Sequence, residues 1–414
     1  MPARPSAAPE RLHLDAALAE LVGVALEQSF RELRRSVRKT LALLCTSFLA
    51  VMAAARSGSG QLSLAALYRV LPVPSRPHSR ENRLRRLLDN PRLEGRAVST
   101  GLGRLLFART RPGLCPVLFD QTTSGAVQTL FAAVPFEGRA LPLAVYTFEY
   151  PWRDRLPSQN RLEEIFLADV EQSLPPGLMP VFIGDRGYSR AQLLRQALQA
   201  HRWVLLRGRA GTVIEHAGRR RKLGELQAPP GQPVRYEGIL YHARQRVPLD
   251  VVVFQDPSQA EPWYLLVPPW TRAHWTPAEV VALYRRRMQI EQSFRDFKTH
   301  LGLRGLRLQV RVAERMGRLL VAFCLAYAFL LLLGVTPEGQ RARADLEIPR
   351  RQPRHGTTRT QSVLSIAMLM LSHARHVHQA LQALCRLLDA CAEGRAALRA
   401  RDRGLLHAIG PPGK

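Results

Sequence analysis

Hydrophobic and polar positions along the chain change their period twice. Residues 15 to 55 repeat apolar positions at helical spacing, and shorter helical runs follow at SLAALYRVL (63 to 71) and RENRLRRLLDNPRL (80 to 93), separated by Ser-Gly-Ser-Gly at 57 to 60 and by Pro72, Pro74 and Pro77. From residue 115 the pattern becomes strand-like. CPVLFD (115 to 120) reads as a buried strand, GAVQTLFAAVPFEGRALPLAVYTFEY (125 to 150) as two strands joined at Glu137-Gly138, NRLEEIFLADVEQSL (160 to 174) as an amphipathic helix, and MPVFIGD (179 to 185) as another strand. Residues 203 to 270 are again strand-like, with Gly- and Pro-rich turns, and the chain returns to helix from Pro277 to Leu303. This order predicts a mixed α/β core interrupted by a β-rich insertion at about residues 203 to 272 and flanked by helical N- and C-terminal regions. The Arg-rich stretch from Thr336 to Gln361 reads as a loop or linker, and residues 362 to 400 as helix.

Two uncharged apolar runs, residues 40 to 55 and 319 to 335, are shorter than the roughly 20 residues a membrane-spanning helix needs, and are expected to be buried core helices. The N-terminus carries no continuous apolar segment behind its arginines, so no secretory signal is expected. Five cysteines, Cys45, Cys115, Cys324, Cys385 and Cys391, lie in apolar runs without zinc-site spacing and read as reduced thiols of a cytoplasmic protein.

Charge changes the picture more. The 414 residues hold 60 Lys+Arg against 33 Asp+Glu, a formal charge of +27, which is too basic for a typical metabolic enzyme and points to a polyanionic partner such as nucleic acid. Lys stands only at positions 39, 222, 298 and 414, so nearly all the basic residues are Arg. Arg31, Arg34, Arg35, Arg38 and Lys39 form one basic patch at helical spacing, and LLRGRAGTVIEHAGRRRK (205 to 222) another on strand and turn. The short N-terminal helices suit a small helical DNA-binding module.

Against that background the few carboxylates stand out. Asp120 closes the run PVLF and Asp185 closes VFIG, so two strands could hold their carboxylates side by side at one edge of a sheet. Such a pair repels itself unless a hard cation neutralises it, and Mg²⁺ or Mn²⁺ suits the donors; the alternative is a pair of turn or helix-cap aspartates. In LYRRRMQIEQSFRDFKTHLGL, a helix turning about 100° per residue gathers Tyr284, Arg287, Glu291 and Lys298 on one stripe, beside an apolar face of Leu283, Ile290, Phe294, Phe297 and Leu301. An ordinary charged helix surface would show a similar row, but here it uses one of the rare lysines.

Tyr284-x2-Arg287-x3-Glu291-x6-Lys298 resembles the YREK signature of DDE transposases of the insertion sequence four (IS-four) group. DQTT at 120 to 123 and DRGY at 185 to 188 are similar to that family's first and second Asp motifs, in the same order. The resemblance implies an RNase H-like catalytic core at 111 to 335, a helical DNA-binding region at 1 to 110, and a linker with helical C-terminal region at 336 to 414. It implies a metal-binding triad of Asp120, Asp185 and Glu291 holding two Mg²⁺ or Mn²⁺ ions for in-line phosphoryl displacement. Tyr284, Arg287, Lys298 and Arg186 would contact transposon-end DNA, and Trp263 would stand near a flipped base, with Trp203, Trp270 and Trp275 as alternatives or all as packing residues. The partners implied are double-stranded DNA, as transposon ends and target, and a second copy of the chain in a synaptic complex. No membrane and no small-molecule substrate are expected, and the place of action is the bacterial nucleoid. Other readings of the same residues are a decayed or host-recruited transposase that only binds DNA, and a structure-specific nuclease. His373, His376 and His378 read as a surface or DNA-facing cluster, without a metal role.

Overall fold

Glu137 and Gly138 both take positive φ, 46° and 75°, the geometry of a two-residue turn that matches strand twist. They join β2 (Val127–Phe136) to β3 (Arg139–Glu149), and β2 lies antiparallel to β1 (Gly113–Ser124). The crossover helix α6 (Gln159–Ser173) starts where Ser158 Oγ accepts the Arg161 N–H at 3.3 Å, and it buries Leu162, Phe166 and Val170. It leads to β4 (Leu178–Gly184), parallel to β1 and buried on both faces over its last residues, and α7 (Ala191–Gln199) then leads to β5 (Trp203–Arg207), parallel to β4. The resulting order β3-β2-β1-β4-β5 is that of an RNase H-like core. The structure, a computed structural model, describes residues 8–56, 62–93, 95–107, 112–124, 126–152, 156–303, 312–353 and 356–392.

The strand-rich segment makes no separate sheet. β6 (Val213–His216), β7 (Arg219–Lys222), β8 (Val234–Tyr241), β9 (Val247–Phe254) and β10 (Trp263–Val267) prolong the core sheet in the order β10-β9-β8-β6-β7, with β10 antiparallel to β5, giving ten strands in all. Within this extension the fully buried Asp250 of β9 is held by Arg272 at 2.6 Å and by Arg235 at 3.3 Å.

Helices from both ends of the chain pack together on one side. α1 (Ala8–Ser29), α2 (Arg35–Arg56), α3 (Leu64–Arg69), α4 (Pro77–Leu88) and α5 (Gly95–Phe107) precede the sheet, and α10 (Ala313–Gly334), α11 (Pro337–Leu346), α12 (Val363–Ser372) and α13 (Val377–Ala392) follow it. α10 crosses β3 closely: Thr147 Oγ1 donates to Ala313 O at 2.7 Å, and a Cβ at Gly317 would come within 2.5 Å of that same oxygen. Its other sides meet α2, α4, α12 and α13. The most apolar stretch of α10 is 94% buried and that of α2 is 72% buried, so protein rather than lipid covers these two long apolar helices.

Three expectations are corrected. The stretch read as a loop after residue 335 contains α11, started by Thr336 Oγ1 accepting the Gly339 N–H at 3.1 Å with Pro337 in the first turn; its polar composition masked an ordinary capping signal. The patch around Arg31 to Lys39 straddles the corner between α1 and α2, and Arg38 turns inward to donate to Leu33 O at 2.6 Å. The helix expected from 277 to 303 is broken into α8 (Pro277–Arg285), α9 (Met288–Arg295) and a π turn at Asp296–His300.

Side chains explain the break by pinning α9. Gln289 Oε1 accepts the Phe136 N–H at 2.9 Å and Ser293 Oγ accepts the Ala140 N–H at 2.9 Å, one on each side of the Glu137-Gly138 turn. Asp296, 2% exposed, pairs with Arg139, and the Tyr327 hydroxyl of α10 lies 3.0 Å from its Oδ2 and 3.1 Å from Ser293 Oγ. Asp296→Ala strands Arg139 and Tyr327 together and should lower unfolding stability by about 3–5 kcal/mol, against about 1 kcal/mol for Tyr327→Phe, measured by urea denaturation. Equal effects of the two substitutions would contradict the central role of Asp296.

Candidate active site

Leu118 of β1 lies opposite Ile183 of β4, an offset of 65 residues, and the same 65 residues separate Asp120 from Asp185. Two residues beyond that pair, Asp120 lies in β1 and Asp185 directly follows β4, so the parallel pairing brings the two to neighbouring segments, close enough for their charges to act on each other. Asp120 does not end its strand, as its sequence context suggested. β1 continues to Ser124 paired with β2, with Asp120 opposite Phe131, while β4 stops at Gly184. The crevice therefore opens where β1 loses its parallel neighbour. This arrangement needs a glycine beside Asp185: a Cβ on Gly184 would come within 2.6 Å of the Phe119 ring.

The third carboxylate arrives on α9. Glu291 is bonded by Arg287, one helical turn earlier, and Arg287 Nη1 also donates to Asp120 Oδ2 at 3.1 Å. Arg287 is 6% exposed and bridges the two carboxylates from below the surface. Burial works against its charge, but Tyr284, Glu291, Asp185 and Asp120 together outweigh that and hold its pKa above the ordinary arginine value. Burial pushes the Asp120 carboxyl up to about 6; the Gln121 N–H and Arg287 oppose the shift, while the charges of Asp185 and Glu291 reinforce it. An all-carboxylate oxygen donor set suits a hard divalent cation. Among the described residues no three His, Cys, Asp or Glu side chains converge as a ready ligand cluster, and Arg287 supplies the local positive charge.

The remaining expected contacts fall in different surroundings. Tyr284 is 4% exposed, and burial pushes its phenol up to about 12. Trp263, half-buried at the start of β10, meets Tyr284 edge-on at 5.1 Å and Phe254 at 5.8 Å, so the two aromatics form a packed wall. Trp203 and Trp275 pack on each other at 5.0 Å, and Trp270 lies 5.5 Å from His201. Lys298 sits in the π turn, half-buried, and lines a small cavity with Thr122, Phe131 and Cys324 rather than continuing an unbroken helical stripe. Arg186, directly after Asp185, is exposed and reaches Glu261 at 3.4 Å. The histidines are not on one helix: His373 ends α12, His378 lies in α13, and His376 is buried in the turn between them, its ring 5.4 Å from that of His373 and 3.7 Å from Asp345.

Several site neighbours escaped the sequence reading. Behind Asp120 a polar chain runs from Gln128 through Gln121 to Gln159 and on to Glu163, each link 2.8 to 2.9 Å, and the buried Glu163 is bonded by Arg190. Tyr188 of the DRGY run stacks on Phe119 at 4.6 Å, and its buried hydroxyl has no hydrogen-bond partner. Burial, with Asp120 and Glu163 adding to it, keeps that phenol protonated. The i,i+4 spacing of Gln159 and Glu163 was the one available signal.

Residues 160–329 match the family described as transposase DDE domain. The chain thus carries a transposase DDE domain over that segment, and the match takes in Asp185 and Glu291 while Asp120 lies ahead of its start. A cryo-EM structure of piggyBac transposase in a synaptic complex with hairpin DNA is similar over 98% of this chain and 86% of that chain, at 12% identity and a TM-score of 0.42. No curated protein sequence matches this chain.

Because the folded pKa of Asp120 lies above that of an unfolded aspartate, its proton contributes stability below about pH 4, and that contribution is lost as the pH rises through about 6. In chelator-treated protein, a carboxyl-carbon NMR titration should place the Asp120 midpoint near 6. Arg287→Ala removes an opposing cation and should move the midpoint higher; a wild-type midpoint near 4 would contradict the buried, like-charged surroundings.

Proposed function

We propose that this transposase belongs to the IS-four, YREK-signature group and acts by cut-and-paste on double-stranded DNA, with Asp120, Asp185 and Glu291 as its metal-binding triad. What supports the reading is the pairing of β1 with β4, which brings Asp120 beside the residue that follows β4, Asp185, with Glu291 tied to Asp120 through Arg287. Two Mg²⁺ or Mn²⁺ ions would supply Lewis acidity at the scissile phosphate and lower the pKa of the attacking hydroxyl. Asp120, Asp185 and Glu291 would hold them through carboxylate oxygen.

The chain's own residues prepare that chemistry. Arg287 keeps Asp120 and Glu291 close without leaving their charges uncompensated, and a DNA phosphate offers its guanidinium a competing bidentate partner. Lys298 and Arg186 would add point charges to the backbone of a bound end, and Tyr284 with Trp263 would form the apolar wall against which a displaced base rests. The helical region 1 to 110 would recognise element ends, the core at 111 to 335 would cut and join, and the helices of 336 to 414 would complete the bundle around α10 in a dimeric synaptic complex. A DNA substrate of this kind places the protein at the bacterial nucleoid.

A plasmid carrying the DNA that flanks the reading frame tests the assignment. Asp120→Asn, Asp185→Asn and Glu291→Gln should each lower strand cleavage by roughly a hundredfold or more, since even the outer partners of metal ligands act on that scale. Binding to the ends should persist, and chelation should abolish cleavage reversibly. Full cleavage by any of the three variants would remove that residue from the triad, and cleavage without joining would favour a nuclease.

A further inference from the structure

A second feature begins one residue past Asp185. A cleft of about 520 Å³ lies between the loop that follows β4, the start of α7 and the far end of β8. Its lining includes Arg186, Arg190, Arg209 and His242, with Thr212 and Gln192 between them, and no carboxylate among the lining residues. Arg190 is held by the buried Glu163 beneath. Arg209 is exposed, donates through Nε to Arg186 O at 3.2 Å, and has no carboxylate partner among the described residues. Gln245, also in the lining, has a buried Oε1 without a hydrogen-bond partner. α7 starts at this wall with no side-chain cap on its first N–H groups, which adds to a positive field already set by the arginines.

An acid-free concavity of this kind selects an anion. No Phe or Trp lines it; Tyr241 is 2% exposed and spends its hydroxyl on Ser189 O at 2.9 Å, which leaves the half-buried His242 ring and the guanidinium groups to meet a ligand. Guanidinium forks match the paired oxygens of a phosphodiester, the contact that positions a strand without reading its sequence. We propose that this cleft is a sequence-independent subsite for the sugar-phosphate backbone of a DNA strand beside the carboxylate site, gripping flanking or target DNA, whose sequence varies. The inference rests on the transposase acting on DNA as proposed above, and extends it from Arg186 to Arg190, Arg209 and the start of α7, outside the triad and the YREK residues.

The test uses the full chain and a duplex of unrelated sequence. Fluorescence anisotropy over a range of salt concentrations should show that the double variant Gln192→Glu/Arg209→Glu binds about tenfold more weakly, with a log–log salt slope shallower by about 1. Arg209→Lys should stay within about twofold of the parent, because a point charge still meets a phosphate. Arg351→Glu, on the exposed segment between α11 and α12, serves as the control for added negative charge. A loss in the double variant no greater than in Arg351→Glu overturns the subsite while leaving the carboxylate triad untouched. A parent protein that binds no duplex even at low salt overturns both readings. Calorimetry with inorganic phosphate separates the other source of the same chemistry: a phosphate site abolished by Arg209→Glu, with duplex binding unchanged, also overturns the DNA assignment.

Discussion

Carboxylates brought together out of water, at the ends of two adjacent parallel strands, are costly to ionise, and the site is organised around that constraint. Burial, reinforced by the charges of Asp185 and Glu291, raises Asp120 to about 6, and Arg287 opposes the shift by bridging Asp120 to Glu291. The cation must stay in place, so α9 cannot slide on the sheet. Gln289 and Ser293 bond the backbone on either side of the Glu137-Gly138 turn, and Asp296 fixes the next turn to Arg139 and Tyr327.

The same need explains the helical layer. α9 is packed between the β2-β3 hairpin and α10, and α10 remains against β3 because α2, α4, α12 and α13 cover its other sides. Phe297 stands edge-on to both Phe323 and Tyr327 at 4.9 and 4.8 Å, which ties the π turn to α10. Segments far apart in sequence thus determine the orientation of one glutamate.

The charge excess divides by surroundings. Arg139, Arg190, Arg235 and Arg343 are spent on buried or half-buried carboxylates, and Arg38 on a helix corner, so part of the basic composition is structural. The extended sheet carries Arg219, Arg220 and Lys222 exposed on its last strand, and in the cleft beside Asp185 Arg209 has no carboxylate partner among the described residues, while Arg186 and Arg190 are paired with Glu261 and Glu163. A net charge cannot distinguish these uses; the partner of each guanidinium does.

Local chemistry was legible in the sequence. The Glu137-Gly138 turn, the period of α6, the apolar runs of β1 and β4 and the family motifs around Asp120, Asp185 and Glu291 all depend on residues within a few positions of one another, where propensity and periodicity act. Length and flanking arginines suggested that the segments at 40 to 55 and 319 to 335 were core helices, and their burial agrees. What the sequence could not carry was anything decided by distant partners. A continuous 3.6-residue period drew one helix through Arg286 to His300, whereas bonds to Phe136, Ala140, Arg139 and Tyr327 hold the chain in shorter segments there. Nothing local places Arg287 between two acids or buries His376 beside Asp345. Nor could it join the β-rich strands to the core sheet, because β10 finds β5 across the 55 residues of chain between Arg207 and Trp263. The sequence by itself determined which residues could do the chemistry. Only the pairing of β1 with β4 decided that two of them, Asp120 and Asp185, come together, because strand pairing is a long-range choice made by the whole buried core.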